Sequence, residues 1–308
     1  MDQILVAGVN TVVGANLAEA LSDHCPVVGV SFTSGVSLPT CNVETEIPRK
    51  ASAVLELVRR IQPSRIVLCG IGADSCWDES RRPQAADVTY AKSWIDAAQS
   101  VGSHLTLISS DAVFTGPWMF HAENSHSICP SPEAELLRQI EAHASASSAD
   151  ALIVRTHAIG WQAGPNAGWL ETLLADLERG TIGSVDFARH GTPMLATELA
   201  DVLKKSWESG LVGLHHIAGA ERISPREFAT RLAAHFRLAR PATPIAGSLV
   251  DRTVGFGCGE TSLQTRKIRR ALGIPLPLLD ESLEKLYQQH LNGYREQLRG
   301  SQLASRVA

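Results

Sequence analysis

Short apolar runs alternate along the first half of the chain with segments whose apolar residues recur at three- and four-residue spacing. Residues 4–7, 26–31, 65–69, 104–109 and 151–155 are nearly continuous in apolar character and read as strands buried on both faces. Residues 15–22, 51–61, 85–100 and 132–146 carry the helical period. Strands alternating with helices of this length predict an α/β fold, a doubly wound, Rossmann-like parallel sheet with helices on both faces. Right-handed crossovers then place a ligand crevice at the carboxyl ends of the strands. After about residue 157 the strict alternation fades into mixed segments, helical at 168–179, 197–209 and 224–236 and extended at 184–187. A Rossmann-like domain over residues 1–156 and a smaller lobe over 157–308, frayed from about 300, follow from that change. Ser224-Pro225-Arg226-Glu227 has the residues of a helix-opening capping box. Ser145-Ala146-Ser147-Ser148 reads as a local turn.

The first strand breaks at Gly8 and resumes as a helix, through Val9, Asn10, Thr11, Val12, Val13 and Gly14. In a dinucleotide-binding turn the first glycine makes the bend, the middle one admits the pyrophosphate to the backbone, and the last lets helix pack on strand. Gly8 and Gly14 hold the outer positions, and Thr11 holds the middle. The cofactor-contact candidates here are Gly8, Asn10, Thr11, Val12, Val13 and Gly14. Cys69, Gly70 and Ile71 follow another strand and offer a second backbone approach, to a cofactor ribose.

Composition narrows the partners. A formal charge of -4 and a pI near 6.3 give no general attraction to nucleic acid or an anionic membrane. No run approaches the roughly 20 apolar residues of a membrane span. The chain opens on a strand without a leader pattern, so a cytoplasmic protein is expected. The six cysteines lack the close pairing of a zinc or redox motif, and His157, His190, His215 and His216 lack ligand spacing, so no metal is expected. Small molecules or proteins, including a second copy of the chain, are the expected partners.

Several segments, in order, resemble the dTDP-4-dehydrorhamnose reductase branch of the extended short-chain dehydrogenases/reductases. Ile108-Ser109-Ser110-Asp111-Ala112-Val113-Phe114-Thr115-Gly116 is similar to that family's serine–threonine–aspartate–x–valine–phenylalanine–x–glycine block. Arg155-Thr156 is similar to the pair closing its next strand, residues 191–200 to its glycine–serine–proline–threonine segment, and residues 262–268 to its C-terminal block. The resemblance implies an NAD(P)H-dependent ketoreductase acting on a nucleotide-linked 4-keto sugar. It also implies a tyrosine proton donor, a lysine four residues later that acidifies it, and a strand-end hydroxyl, here Ser110, that orients the carbonyl.

The chain departs from that pattern at defined positions. Its three tyrosines, Tyr90, Tyr287 and Tyr294, are followed four residues on by Trp94, Leu291 and Leu298. Aligning Glu141 with the family's glutamate puts Glu133 at the tyrosine position and Leu137 at the lysine position. The second strand ends Val30-Ser31-Phe32-Thr33-Ser34, with neither the acid that holds an NAD ribose nor the arginine that meets an NADP phosphate. Asn42 stands where the family carries an aspartate near the adenine. Together with Thr11, these departures imply weakened NAD(P) binding. Two readings stay open: a binding or regulatory protein with a nucleotide or nucleotide-sugar pocket, and a reductase that uses another proton donor such as Glu133, with Ser110.

Overall fold

The computed structural model describes residues 3–33, 35–180, 185–186, 188–241, 249–250 and 254–299. Its central sheet comprises β1 (Ile4–Ala7), β2 (Val27–Val30), β3 (Asn42–Glu44), β4 (Arg65–Leu68), β5 (His104–Ser110), β6 (Leu152–Thr156) and β7 (Gly213–His216). All pairings are parallel, in the order β7-β6-β5-β4-β1-β2-β3. The chain moves outward from β1 to β3, then returns to lay β4 on the other side of β1. The crevice forms at that reversal, where the loops after β1 and β4 part.

The strands are apolar on both faces because two cores need them. In β1, Ile4 and Val6 enter one core and Leu5 and Ala7 the other. The helices α1 (Val12–Ser22), α2 (Ala51–Ile61), α3 (Ala85–Val101) and α4 (Pro132–Ser147) connect the strands. The second core lies beneath α2 and α3. The first extends under α1 into α5 (Trp169–Glu178), α6 (Ala196–Glu208), α7 (Pro225–His235), α8 (Arg266–Leu272) and α9 (Leu279–Leu291). The short α10 (Tyr294–Leu298) closes the described chain, with Leu298 buried and the Tyr294 hydroxyl donating to Asn16 Oδ1 at 3.2 Å.

Several boundaries move for local reasons. Helix α1 begins three residues earlier than its apolar period, because the Thr11 hydroxyl caps it by accepting from the Gly14 amide at 3.0 Å. Helix α4 absorbs most of the expected turn at 145–148, with Ser148 as its C-cap. Ser224 does cap α7, accepting from the Glu227 amide at 3.2 Å. Glu227 turns to Arg231 instead of closing the box. Residues 184 and 187 of the expected extended segment, and the tail 300–308, lie outside the described residues. No helix among the described residues is long and apolar enough to cross a membrane.

Candidate nucleotide crevice

The two outer glycines are demanded by backbone contact. A Cβ on Gly8 would lie 1.9 Å from the Cys69 carbonyl oxygen, and Gly8 adopts φ +104°. A Cβ on Gly14 would lie 2.1 Å from the Gly8 carbonyl oxygen. Both glycines therefore let β1, α1 and β4 close on one another. Val13 and Cys69 are buried in the same scaffold, and Val12 stands at the first turn of α1.

A cavity of about 430 Å³ opens beside this turn, with Asn10, Thr11, Gly70 and Ile71 in its wall. Its apolar walls come from Phe32, Tyr90, Leu107, Leu137 and Ile140, with Arg49 and Arg81 adding positive charge. A second cavity of about 390 Å³ lies towards the second lobe and shares Asn10, Thr33 and Arg81 with the first. Asn42 stands apart from both, exposed at the amino end of the edge strand β3. Gly8, Val13 and Gly14 likewise support the first cavity without lining it.

The helix terminus beside this cavity is already satisfied from within the chain. Thr11 takes the Gly14 amide, and its own hydroxyl donates to the Gly8 carbonyl at 2.8 Å. The Val12 amide donates to Asp74 Oδ1 at 3.2 Å, and Arg81 pairs with Asp74 Oδ2 at 2.6 Å. Burial pushes the Asp74 carboxyl up to about 6, against the opposing pull of Arg81 and the Val12 amide. A helix N-terminus is the usual seat of a phosphate. Here a buried carboxylate holds that place.

The residues present thus fit a dinucleotide only in part. No atom lies within 4 Å of where a Gly70 Cβ would be, so this cavity wall leaves room for a ribose or base. The Asp74 carboxylate on the Val12 amide does not fit a pyrophosphate, which would bring further negative charge against it. Asn10 also braces the loop, accepting at Oδ1 from the Phe32 amide at 2.7 Å and at its carbonyl from Gln162 Nε2 at 2.5 Å.

The catalytic candidates occupy different places. Ser110 is buried, with Oγ donating to Asp111 Oδ1 at 3.2 Å and accepting from the Ala112 amide at 3.1 Å. Glu133 is half-buried in the first turn of α4 and is absent from the cavity wall, whereas Leu137, one turn later, is in it. Neighbouring Ser109 lines the cavity and donates to Glu141 Oε1 at 2.6 Å. Glu141 in turn receives both Nε and Nη2 of Arg155, at 2.9 and 2.7 Å.

Sequence spacing did not disclose a buried relay at the carboxyl ends of β4, β5 and β6. His157 Nδ1 lies 2.8 Å from Asp111 Oδ2, and its Nε2 lies 3.0 Å from Ser75 Oγ. Thr261 Oγ1 donates to the same Asp111 oxygen at 2.7 Å. Burial works to raise the Asp111 carboxyl, but His157, the Thr261 hydroxyl and the Cys76 thiol hold it below the ordinary range. Cys76 completes a buried group with Asp111 and His157, its ligand atoms within 4.8 Å of theirs, the residues that could offer a metal three donors.

Comparison with known proteins agrees with this architecture. Residues 1–292 match the family model described as the RmlD substrate binding domain. The chain belongs to that family. A dTDP-4-dehydrorhamnose reductase from Bacillus anthracis str. Ames, solved in complex with NADP, superposes with TM-score 0.75 at 19% identity, covering 94% of this chain and 98% of its own. The Bordetella bronchiseptica enzyme WbmH, solved with NAD+, gives 0.76 at 15% identity, covering 96% and 100%. UDP-glucose 4-epimerase from Thermotoga maritima, solved with UDP-glucose, gives 0.73 at 12% identity, covering 95% and 99%. No curated protein sequence matches.

Proposed function

We propose that the protein is an atypical member of this family that binds a nucleotide or nucleotide sugar in a binding or regulatory role, with the tyrosine–lysine ketoreductase chemistry lost or rerouted. The observation that carries this reading is the Asp74 carboxylate on the Val12 amide. A carboxylate in the phosphate seat disfavours a pyrophosphate there, while the cavity beside it keeps room for a nucleoside.

The proton-donor side of the crevice points the same way. Leu137, at the position aligned with the acidifying lysine, contributes only an apolar wall. Tyr90 is the tyrosine in the cavity wall, and burial pushes its phenol above the ordinary value, opposite to what proton donation near neutrality requires. Trp118 and Met119 are 71% and 61% exposed and add an apolar surface suited to a protein partner.

The test is a titration of NADH and NADPH against purified protein, followed by addition of a dTDP-4-keto sugar while nicotinamide absorbance is followed. The reading expects weak cofactor binding and no turnover. Tight binding with turnover abolished by Ser110→Ala would instead establish the alternative, an active reductase with a non-tyrosine donor.

A further inference from the structure

Cys76, Asp111 and His157 stand at three neighbouring strand ends, Cys76 in the loop after β4, Asp111 directly after β5 and His157 directly after β6. Among the described residues they are the one group of three metal-ligating side chains whose donor atoms converge, all within 4.8 Å of one another and all buried. His157 Nδ1 lies 2.8 Å from Asp111 Oδ2 and 3.9 Å from Cys76 Sγ. Donors about 2.0–2.3 Å from one tetrahedral ion lie roughly 3.3–3.7 Å apart. The two separations fall on either side of that range, so shifts of about half an ångström seat an ion among the three donors without any cavity beside them.

The side of the group that faces Gly191 is clear of side-chain atoms. A Cβ there would lie 2.6 Å from His157 Nδ1 and 3.4 Å from Asp111 Oδ2. Gly191 does not adopt a positive φ, so the glycine answers to these donor atoms rather than to a turn. The other partners of the donors leave them free to ligate. Ser75 Oγ, 3.0 Å from His157 Nε2, accepts from the Trp77 amide at 3.2 Å and keeps a second lone pair for an Nε2 proton, which leaves Nδ1 for a metal. Ser110 Oγ steadies Asp111 at Oδ1, the oxygen that faces away from His157. Thr261 Oγ1 lies 2.7 Å from Asp111 Oδ2. With its proton on the His190 carbonyl, 2.9 Å away, it offers a lone pair to the fourth position. Without an ion, burial and the Asp111 charge hold the Cys76 thiol far above its ordinary value. A divalent ion reverses that balance, because one thiolate and one carboxylate neutralise it and the thiol proton leaves to solvent.

We propose that Cys76, Asp111 and His157 form a structural site for a zinc-class divalent ion, ligated through Sγ, Oδ2 and Nδ1, that ties together the ends of β4, β5 and β6. One thiolate, one imidazole and one carboxylate suit zinc, or cobalt in its place, rather than magnesium or calcium, which take oxygen ligands. A closed site of this kind takes its ion as the chain folds. The proposal stands independently of nucleotide binding in the crevice.

The test is the metal content of the untagged full chain, expressed in zinc- or cobalt-supplemented medium, passed over a chelating resin and read by elemental mass spectrometry. About one zinc per chain is expected. The cobalt form should show a thiolate-to-cobalt charge-transfer band beside the visible bands of a four-coordinate ion. Cys76→Ser should lose that band and the bound ion. Ser75→Ala removes only the partner of Nε2, so it should keep the band and bind zinc about ten- to a hundredfold more weakly. Cys25→Ser, half-buried and outside the group, should keep both band and ion, and circular dichroism shows that each protein compared is folded. Folded wild type that holds no zinc, cobalt bound without the thiolate band, or zinc retained in full by Cys76→Ser would each overturn the proposal.

Discussion

The Asp74 carboxylate and the Val12 amide, 62 residues apart in the chain, meet at 3.2 Å at the start of α1. This contact changes what the strand–turn–helix entry can hold. The turn itself is built as a dinucleotide-binding turn is built, with Gly8 and Gly14 at the close backbone approaches. The positive end of the helix, however, faces a carboxylate supplied by the loop after β4.

One consequence is a stability that depends on the charge of Asp74. Its carboxyl is held up near 6 against an ordinary value of 3.8, so the folded state binds a proton more tightly than the unfolded chain. The contribution is most favourable below about pH 4 and is lost as pH rises through 6, a change on the order of 2–3 kcal/mol. Asp74→Asn keeps an oxygen for the Val12 amide and removes the charge. It is expected to match or exceed wild type in denaturant stability at pH 7.5, with the difference shrinking towards pH 5. A variant clearly less stable than wild type at pH 7.5 would show that ionised Asp74 is net stabilising.

Thr11 offers a second handle on the same terminus. Thr11→Gly removes the hydroxyl from the Gly14 amide and should cost only roughly a few tenths of a kcal/mol in denaturant unfolding, because glycine itself serves at an N-cap. The freed amide should strengthen dinucleotide binding in a fluorescence titration. Unchanged affinity would mean that the terminus takes no part in ligand binding.

The glycines divide by what surrounds them. Gly8→Ala would place a methyl 1.9 Å from a backbone oxygen and at φ +104°, so soluble, folded protein should be lost. Gly70→Ala meets no atom within 4 Å and should leave the melting temperature within a few degrees of wild type. Because Gly70 lines the cavity, the same methyl should weaken adenosine or nucleotide binding measured by calorimetry.

The fold was legible because each long strand must be apolar on both faces and each connecting helix on one. The edge strand Asn42–Glu44 escaped notice because half its surroundings are solvent, leaving no apolar run to read. Gly213–His216 escaped for a different reason, since its two histidines conceal a buried strand end. The site was less legible than the fold. Thr11, Gly70 and Ile71 could be picked from the turn pattern, whereas Asp74 and Arg81 sit in a charged loop that no helical or strand period singles out. The line through Ser75, Asp111 and His157 depends on parallel strands ending side by side, and sequence distance carries no trace of it.

NADH fluorescence titration of wild type against Asp74→Ser at pH 7.5 asks whether the chain's own carboxylate occupies the phosphate seat. Removing the carboxylate frees the Val12 amide and leaves Arg81 without its 2.6 Å partner, so two groups become available to a diphosphate. At least a tenfold gain in NADH affinity is expected for Asp74→Ser, and a wild-type affinity that rises as pH falls through 6. Wild-type binding as tight as that of the variant, unchanged between pH 7.5 and 5.5, would contradict it.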